Sequence, residues 1–492
     1  DSKKEHLIKN RSFDPHMLRT HHGEGEIYKT TLIVKFLCIV ANKLSSLDPF
    51  GIGIEMEADK PGWCDSMNGL PGLFGSSTPE VFELKRQVLF ISGALKNLDL
   101  EDSYNINIPE ELYDFLKKIS SFIKTQPKIS VKKRDLYFWD KSNSLKEKYR
   151  EKVKLGFSGV ESSFGLAELK SMLEVFLLKI NGAIKKSYIP SKGLYTTYFI
   201  NKVSQYKLLN RLDPIKGLPL VMPTAFKNER LPLFLEGITR AMKVEKDIKK
   251  ARRLYKALKK TPIYDKKLKM YKINESLKGT SEEVGRSTIF TPGWLENESI
   301  WLHMEYKYLL EILKASLYEE FFEEFRNVLI PFLEPEIYGR SIFENSSFLV
   351  SSAFPDKKLH GRGFVARLSG STAVMLSIWL LMNIGRNPFF INDKGELSLK
   401  FRPALPAWLF TKKAKEEFPK NTYAFKFLNK TMVVYHNPRM KNTAGKNSVR
   451  TRFIVIRYDD GSKIEIKKDV IDFPYSQDIR DRKVKRIDIY FT

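Results

Sequence analysis

Four carboxylates surround a tryptophan between residues 55 and 75 (EMEADKPGWCDSMNGLPGLFG), namely Glu55, Glu57, Asp59 and Asp65 around Trp63. The glycines and prolines of this stretch indicate a structured loop. An aromatic face stacks on a sugar ring, and a nearby carboxyl can protonate the oxygen of a glycosidic bond. The pattern therefore suits glycoside cleavage. A tight surface loop with solvated acids, in which the tryptophan is a packing residue, is the alternative that the spacing leaves open.

A second stretch, residues 359–373 (LHGRGFVARLSGSTA), has the composition of an anion site. Ser369, Gly370 and Ser371 run into an apolar helix that begins near residue 373. Backbone N–H groups and hydroxyls at a helix N-terminus bind anions, and His360 and Arg362 could add donors. An ordinary Ser/Thr cap is equally compatible with the residues. The spacing matches neither a P-loop nor a nucleophile elbow.

Histidines supply two further candidates. His303 lies early on a predicted helix, and a lone helical histidine is more often a core residue than a ligand. It gains functional weight if it faces the two clusters above. His21 and His22, with Glu24 and Glu26 close by, match no metal-binding spacing, so we interpret them as part of a polar loop and predict no metal site.

The elements that must position these residues are mostly helices before residue 390. Apolar residues recur at helical spacing in seven segments: 27–47, 79–98, 109–125, 164–186, 232–260, 300–315 and 319–329. Thr78 is the expected N-cap of the second of these helices. Long helices in series, joined by irregular loops, favour helices packed on helices in a ring, with functional loops at one end.

After residue 392 the apolar period changes to that of strands. Five strands are predicted, at 423–428, 431–435, 452–458, 463–466 and 486–491, with a hairpin turn at 459–462. We expect an antiparallel β domain of sandwich type. The predicted division is therefore a helical domain over 1–390 and a β domain over 391–492.

Composition excludes several classes of protein. Two cysteines among 492 residues are too few for a disulfide scaffold, and the longest apolar run (373–384) is too short to span a membrane. We expect a cytoplasmic protein without a membrane partner. The net charge of +26 favours anions, and the densest basic run (243–272) fits an amphipathic helix with a solvated face. No nucleic-acid-binding motif accompanies this charge, so we expect no nucleic-acid partner.

The phosphate-site residues resemble glycoside hydrolase family 94, which contains cellobiose and chitobiose phosphorylases. Residues 297–303 (NESIWLH) are similar to that family's Asn-Gly-Gly-Ile-Phe-x-His segment, whose histidine contacts phosphate, so His303 is the matching position. Residues 360–363 (HGRG) and 368–371 (LSGS) resemble its Gly-Arg-Gly stretch and its Thr-Gly-Ser/Thr phosphate loop. The resemblance implies that phosphate is held by a set of five residues: His303, Ser369, Gly370, Ser371 and Arg362.

The acidic loop carries a second part of the resemblance. Residues 62–65 (GWCD) stand where the family has Asp-Trp-Asn-Asp, whose last aspartate is the general acid, so Asp65 inherits that role. The leading aspartate is replaced by glycine. The resemblance implies that Asp59 is a displaced equivalent of it, in which case Asp59 and Trp63 would contact sugar. Family members carry more chain before the acid, so we expect an (α/α)6 helical barrel that is incomplete at its N-terminus, followed by the β-sandwich, as the C-terminal portion of a longer protein.

The resemblance implies a hexosyl-transferring enzyme of the disaccharide phosphorylase type. It would convert a β-linked disaccharide or oligosaccharide into an α-sugar 1-phosphate with inversion, with inorganic phosphate as co-substrate and no other cofactor. Family members are often dimers, which makes a homodimer an expectation. Three alternatives stay open: an inverting hydrolase with Glu298 or Glu305 as base, a non-catalytic carbohydrate-binding fragment, and a nucleic-acid binder.

Overall fold

A computed structural model describes residues 2–60, 62–125, 130–366 and 370–492, with backbone alone at 131, 132 and 366. The chain divides into two compact units. The first comprises Asp1–Val244, Lys256–Ile263 and Ile273–Ser299, and the second comprises Glu245–Tyr255, Tyr264–Lys272 and Ile300–Thr492. The structure mixes helices with several antiparallel sheets. A helical barrel and a domain boundary at residue 390 stay predictions, and that position lies inside the second unit.

Helices make up much of the first unit. Their bounds are Ser2–Lys9, Leu32–Leu44, Thr78–Asn97, Glu110–Lys124, Val131–Lys152, Leu166–Ser187 and Leu235–Val244. Side chains such as Leu37, Val88, Phe115 and Phe176 are buried between them. Each large apolar side chain buried in this way contributes roughly 1.5–3 kcal/mol to folding. The apolar spacing of the sequence is therefore what holds these helices together.

Three of the predicted helices (79–98, 109–125 and 164–186) are confirmed to within two residues, and the first helix is shorter than predicted, at Leu32–Leu44. The N-cap of Thr78–Asn97 is Ser77 and not the predicted Thr78, whose hydroxyl instead donates to the carbonyl of Thr196 at 2.5 Å.

The single helix predicted over 232–260 is wrong. Two helices, Leu235–Val244 and Ile248–Leu258, replace it. Asp247 lies between them, and its carboxylate accepts the backbone N–H groups of Lys249, at 2.8 Å, and Lys250. These bonds start a new helix at the point where the predicted one would have continued.

A long antiparallel hairpin, Tyr198–Leu212 with Pro219–Arg230, lies where mostly helix was expected. Its turn is fixed by Asp213, whose carboxylate accepts the backbone N–H of Ile215 at 3.0 Å. The base of the hairpin pairs with Ser76–Ser77, which pairs in turn with Ile54–Glu55. This small sheet joins the two ends of the acidic loop, because Ile54 lies opposite Ser77 in the register.

The second unit contains a three-stranded sheet and the two helices that carry predicted site residues, Leu302–Lys314 and Gly370–Ile384. The strands are Ile300–Trp301, Ser346–Leu349 and Gly363–Ala366, all antiparallel. The helices Leu302–Lys314 and Tyr318–Val328 lie within two residues of their predicted positions. Helix Gly370–Ile384 begins three residues before the predicted start near 373.

All five predicted C-terminal strands are confirmed to within two residues, at Thr422–Phe427, Thr431–His436, Thr451–Tyr458, Lys463–Ile466 and Val484–Phe491. They form one sheet, in which Thr431–His436 and Val484–Phe491 are parallel. The expectation of a purely antiparallel domain is therefore wrong. Parallel neighbours need a crossover connection, and here it contains two other strands and the helix Tyr475–Arg480. The sandwich arrangement stays a prediction.

Within the described part of the chain, none of the helices combines the length and the apolar character that crossing a membrane requires.

Candidate active site

The loop that carries Asp65 is held on both sides of this residue. Cys64 and Ser66 are buried, whereas the side chain of Asp65 is exposed to 60%. The carbonyl of Ser66 accepts the N–H of Ser287 at 3.2 Å, and their hydroxyls form a further hydrogen bond. Farther along the loop, the N–H of Gly69 donates to the carbonyl of Val284 at 3.0 Å. Asp65 therefore projects to solvent from a fixed backbone.

Close backbone approach explains a glycine in this loop. A Cβ added at Gly69 would lie 1.8 Å from the carbonyl oxygen of Glu283. Only glycine allows the two segments to meet at this distance. The second segment brings Arg286 to the acid, with Nη2 at 3.3 Å from Oδ1 of Asp65. This ion pair is exposed, so it contributes little stability and is free to rearrange around a ligand.

Glu296 belongs to the same cluster, although the sequence analysis did not select it. Burial raises the pKa of the Glu296 carboxyl, the charge of Asp65 raises it further, and the charge of Arg286 opposes both. Asp65, Glu296 and Arg286 thus form an interacting group of two carboxylates and one cation. The one sequence signal for Glu296 is that it directly precedes the NESIWLH segment.

The two glutamates expected as alternative bases, Glu298 and Glu305, are both buried. Glu305 is fully buried and accepts the N–H of Tyr271 at 2.8 Å, and burial raises the pKa of its carboxyl well above the ordinary value. Glu298 is also buried, and its backbone N–H donates to the side chain of Asn274 at 2.6 Å. Burial of this kind suits packing better than activation of a water molecule.

The two predicted sugar-contacting residues differ in environment. Trp63 is half-buried and packs against an apolar cluster that includes Met67 and Tyr198. Asp59 is exposed and has left-handed backbone geometry, with φ of 59°. Trp63 therefore has a packing role whether or not one of its edges meets a sugar.

The structure brings two of the predicted phosphate ligands together. His303 is the second residue of helix Leu302–Lys314, and Gly370 is the first residue of helix Gly370–Ile384. A Cβ added at Gly370 would lie 2.2 Å from Cε1 of the His303 ring and 2.4 Å from each ring nitrogen. The imidazole thus lies directly against the backbone at a helix N-terminus.

The other predicted phosphate ligands are placed less directly. Ser371 is buried in the first turn of the same helix. Arg362 is exposed, and its guanidinium packs against Gly339, where an added Cβ would lie 2.8 Å from Nε. Ser369 lies outside the described residues.

His360 is held by other groups and does not supply a donor to the anion site, contrary to expectation. Its Nδ1 lies 2.7 Å from Nζ of Lys267, and its Nε2 lies 2.8 Å from the carbonyl oxygen of Phe354. Because a lysine ammonium only donates, Nδ1 accepts and Nε2–H donates. Both ring nitrogens are therefore engaged within the fold.

Glu55, the first carboxylate of the acidic loop, lines a cavity of about 400 Å³ in the first unit. Its Oε1 accepts the indole N–H of Trp139 at 2.6 Å, and its Oε2 lies 3.4 Å from the amide nitrogen of Asn143. Burial raises the pKa of Glu55 to about 7, against the lowering effects of these donors and of Lys146. This carboxyl is therefore partly protonated at neutral pH.

Glu57 lines the same cavity, and the pKa of its carboxyl is shifted in the opposite direction. Burial alone would raise the pKa of its carboxyl, but hydrogen bonds from Lys60 and Arg150, with the charge of Lys146, lower it to about 2. Helix Val131–Lys152 supplies most of these partners from one face: Trp139, Asn143, Lys146 and Arg150 recur at intervals of three and four residues. The helix was not predicted because its apolar period is weak. The helical spacing of these four polar or aromatic residues is the sequence signal that could have revealed it.

No group of three or more histidine, cysteine, aspartate or glutamate side chains with an arrangement fit for a metal ion is found among the residues that the structure describes.

No family model and no curated protein sequence matches this chain. Among solved structures it is similar to the family 63 mannosylglycerate hydrolase of Thermus thermophilus with Tris and D-glycerate, at 10% identity, with a TM-score of 0.26 and coverage of 77% of this chain and 99% of that chain. An uncharacterized conserved protein of the same organism gives 10% identity, a TM-score of 0.25 and coverage of 77% and 98%. The hydrolase with glucose gives 11% identity, a TM-score of 0.25 and coverage of 77% and 99%. Superpositions this weak establish neither a shared fold nor a shared activity.

Proposed function

We propose that this protein cleaves a β-linked disaccharide or oligosaccharide by inverting phosphorolysis and releases an α-sugar 1-phosphate. The observation that carries the proposal is the placement of the His303 imidazole against Gly370, the first residue of a 15-residue helix. A histidine beside a helix N-terminus is suited to an oxyanion, because its ring N–H and the backbone N–H groups can donate to the same anion.

The helix N-terminus contributes in two ways. Its first backbone N–H groups have no partner within the helix and point outward, and the aligned peptide dipoles place partial positive charge there. A phosphate bound at this end receives hydrogen bonds from the backbone and from His303. Ser369, Ser371 and Arg362 would complete the binding site as further donors.

Asp65 is the proposed general acid. It projects from a loop whose backbone is bound to residues 284–287, so that its position does not depend on the substrate. Once the proton has moved to the sugar, a carboxylate remains, and Arg286 at 3.3 Å stabilises it. Asp59 and one edge of Trp63 would contact the sugar.

The step balances without a second protein carboxylate. An oxygen of phosphate forms a bond to the anomeric carbon while the bond from that carbon to the glycosidic oxygen breaks. The leaving oxygen takes the proton of Asp65, and the configuration inverts. Phosphate replaces the water and the general base that an inverting hydrolase needs. The proposed reaction therefore requires phosphate as co-substrate and uses no other cofactor.

The test is the release of sugar 1-phosphate from a panel of β-linked disaccharides, with and without phosphate. We expect phosphate-dependent release that falls by about 10²-fold or more in Asp65→Asn, as expected for loss of an essential acid. His303→Ala should raise the KM for phosphate. Asp140→Asn, at an exposed surface aspartate, is the matched control. Unchanged turnover in Asp65→Asn would refute the assignment of the acid.

Inverting hydrolysis is the second candidate, and one observation favours it. Glu296 lies in the electrostatic cluster of Asp65, and two carboxyl groups of different environment are what an inverting hydrolase uses. Sugar release without phosphate, abolished by Glu296→Gln, would establish hydrolysis. Phosphate-dependent release that survives Glu296→Gln would favour phosphorolysis.

A further inference from the structure

The cavity beside Glu55 has features that the proposed reaction does not use. It lies in the first unit, holds about 400 Å³ and is lined from the segments around residues 38–46, 54–62, 77–80 and 150. This volume falls in the lower part of the range for small-molecule sites, roughly 300–1,000 Å³. We propose that this cavity binds an uncharged sugar ring, with the carboxyl of Glu55 hydrogen-bonded to a ring hydroxyl.

The charges of the wall indicate that the ligand is uncharged. Lys43 pairs with Glu80 at 2.8 Å, and Glu57 pairs with both Arg150 and Lys60. Arg150 also pairs with Glu147 at 3.0 Å, so each cation of the wall has a carboxylate partner: Glu80 for Lys43, Glu57 for Lys60 and Glu147 for Arg150. An anionic ligand would have to displace one of these partners, whereas a hydroxyl can share hydrogen bonds with an ion pair and leave it intact.

Apolar side chains complete the wall in a way that suits a sugar. Ile39, Ile54 and Met56 line the cavity beside the ion pairs. A pyranose ring presents C–H groups on its faces and hydroxyls around its edge, so it needs both kinds of surface. Asn42 and Ser46 add neutral polar groups to the same lining. The mixture excludes a purely apolar ligand, because burial of polar groups without partners costs free energy.

Glu55 has the geometry of a donor. The indole N–H of Trp139 occupies Oε1 at 2.6 Å, so the proton of the neutral carboxyl belongs on Oε2. The amide of Asn143 lies 3.4 Å from that oxygen, which is too far for a strong bond. The charged groups that act on Glu55 are Lys146, which lowers the pKa of its carboxyl, and Asp48, which raises it. The hydroxyl at Oε2 can therefore be offered to a ligand.

Binding should depend on pH because only the acid form donates. With the pKa of Glu55 at about 7, the donor is mostly present at pH 6 and mostly absent at pH 8.5. A ligand that requires the donor then loses affinity by ~30-fold over this interval. Glu57 stays ionised throughout, since its pKa is about 2, and it does not contribute to the pH dependence.

The experiment measures binding of glucose, galactose, mannose and N-acetylglucosamine by ligand-observed NMR and calorimetry at pH 6 and pH 8.5. We expect at least one sugar to bind, with the loss of affinity given above. Glu55→Gln keeps a donor of similar shape and should bind without pH dependence. Glu55→Ala should bind at least ~10-fold more weakly at pH 6. Glu151→Gln, at an exposed position of helix Val131–Lys152, is the matched control.

A variant that fills the cavity keeps the proposal testable if the Glu55 variants fail to fold. Ile39 lines the cavity but is 39% exposed, so Ile39→Trp can fill the space without disrupting the core. It should abolish binding while the thermal unfolding midpoint is retained. Binding that keeps its pH dependence in Ile39→Trp, or no binding of any sugar at either pH, would overturn the proposal. Tighter binding of glucose 1-phosphate than of glucose that is lost in Ile39→Trp, and so belongs to the cavity, would overturn the assignment of an uncharged ligand.

This site does not rest on the proposed phosphorolysis. Asp65→Asn should abolish turnover and leave sugar binding in the cavity unchanged. Ile39→Trp should instead abolish sugar binding in the cavity. Failure of one proposal is therefore distinguishable from failure of the other.

Discussion

Gly370→Ala tests the anion site without removing any polar group. The added methyl carbon would lie 2.2–2.4 Å from three atoms of the His303 ring. Carbon atoms in van der Waals contact are about 3.5–4.0 Å apart, so the imidazole must move by more than ~1 Å. The backbone N–H groups of helix Gly370–Ile384 stay in place. The substitution therefore separates the histidine from the helix N-terminus.

The expected loss follows from that displacement. A misplacement of about 1 Å in a positioned group costs on the order of 10²-fold. We expect the affinity for phosphate to fall by about this factor, which corresponds to roughly 2.7 kcal/mol. Stability should change little or fall slightly, because the preference of a helix for alanine over glycine, about 1 kcal/mol, offsets part of the steric cost. Weaker binding with retained stability is thus the signature of the displaced histidine.

The assay is phosphate binding by calorimetry, together with the KM for phosphate in the sugar 1-phosphate assay. Gly93→Ala is the matched control, because Gly93 also lies in a helix, Thr78–Asn97, and an added Cβ meets no described atom within 4 Å. The control should keep the phosphate affinity of the wild type and gain up to ~1 kcal/mol of stability. If Gly370→Ala binds phosphate as the wild type does, the reasoning that contact with Gly370 fixes His303 at an anion site is refuted.

Three further predictions concern single charged groups. Arg286→Met removes the cation at 3.3 Å from Asp65 and should lower kcat about tenfold without a change in the KM for phosphate, as steady-state kinetics would show. Asp488 has its pKa lowered to about 2, against the effect of burial, by hydrogen bonds from His436 and two arginines, so it contributes roughly 1–2 kcal/mol above pH 4 that is lost as the pH falls towards 2. Urea unfolding should therefore show Asp488→Asn less stable than the wild type at pH 7 and nearly equal to it at pH 2. Asp48→Ala leaves several buried backbone N–H groups without their acceptor and should lower the free energy of unfolding by about 2–4 kcal/mol, measured in the same way.

The sequence predicts most of the regular elements wherever apolar residues follow one clear period. Strands Thr431–His436 and Lys463–Ile466 and helix Leu302–Lys314 lie within two residues of the predicted positions. Elements whose apolar period is weak, or whose structure depends on long-range pairing, are not predicted from the sequence. Helix Val131–Lys152 carries many charges and few apolar side chains. The hairpin strand Tyr198–Leu212 is largely exposed, so burial on one face does not impose an alternating pattern on it.

The candidate sites differ in how far they could be predicted. A resemblance to known motifs selected Asp65, His303 and Gly370, and the structure places the last two in contact. Glu296 and Trp139 were missed because their roles depend on partners distant in the sequence: Trp139 reaches Glu55 from 84 residues away. Local spacing does not report such contacts. Residue type alone also cannot show which carboxylates are buried, and burial is what separates Glu55 from Asp65 in this structure.

The acidic loop carries both Glu55 and Asp65. Its two ends pair with each other in a sheet, which allows the two carboxylates to act independently. Ile54 lies opposite Ser77, and the N–H of Met56 donates to the carbonyl of Gly75 at 2.8 Å, so the two ends of the loop meet in the small sheet. Glu55, at the closed end, interacts with Trp139 and Asn143, whereas Asp65 interacts with Arg286. Because Glu55 and Asp65 interact with different partners, changes at the two positions should be additive. Sugar binding by the Glu55→Gln, Asp65→Asn double variant should match that of Glu55→Gln to within about 0.5 kcal/mol by calorimetry. A larger coupling energy would mean that the loop transmits strain between its closed end and Asp65.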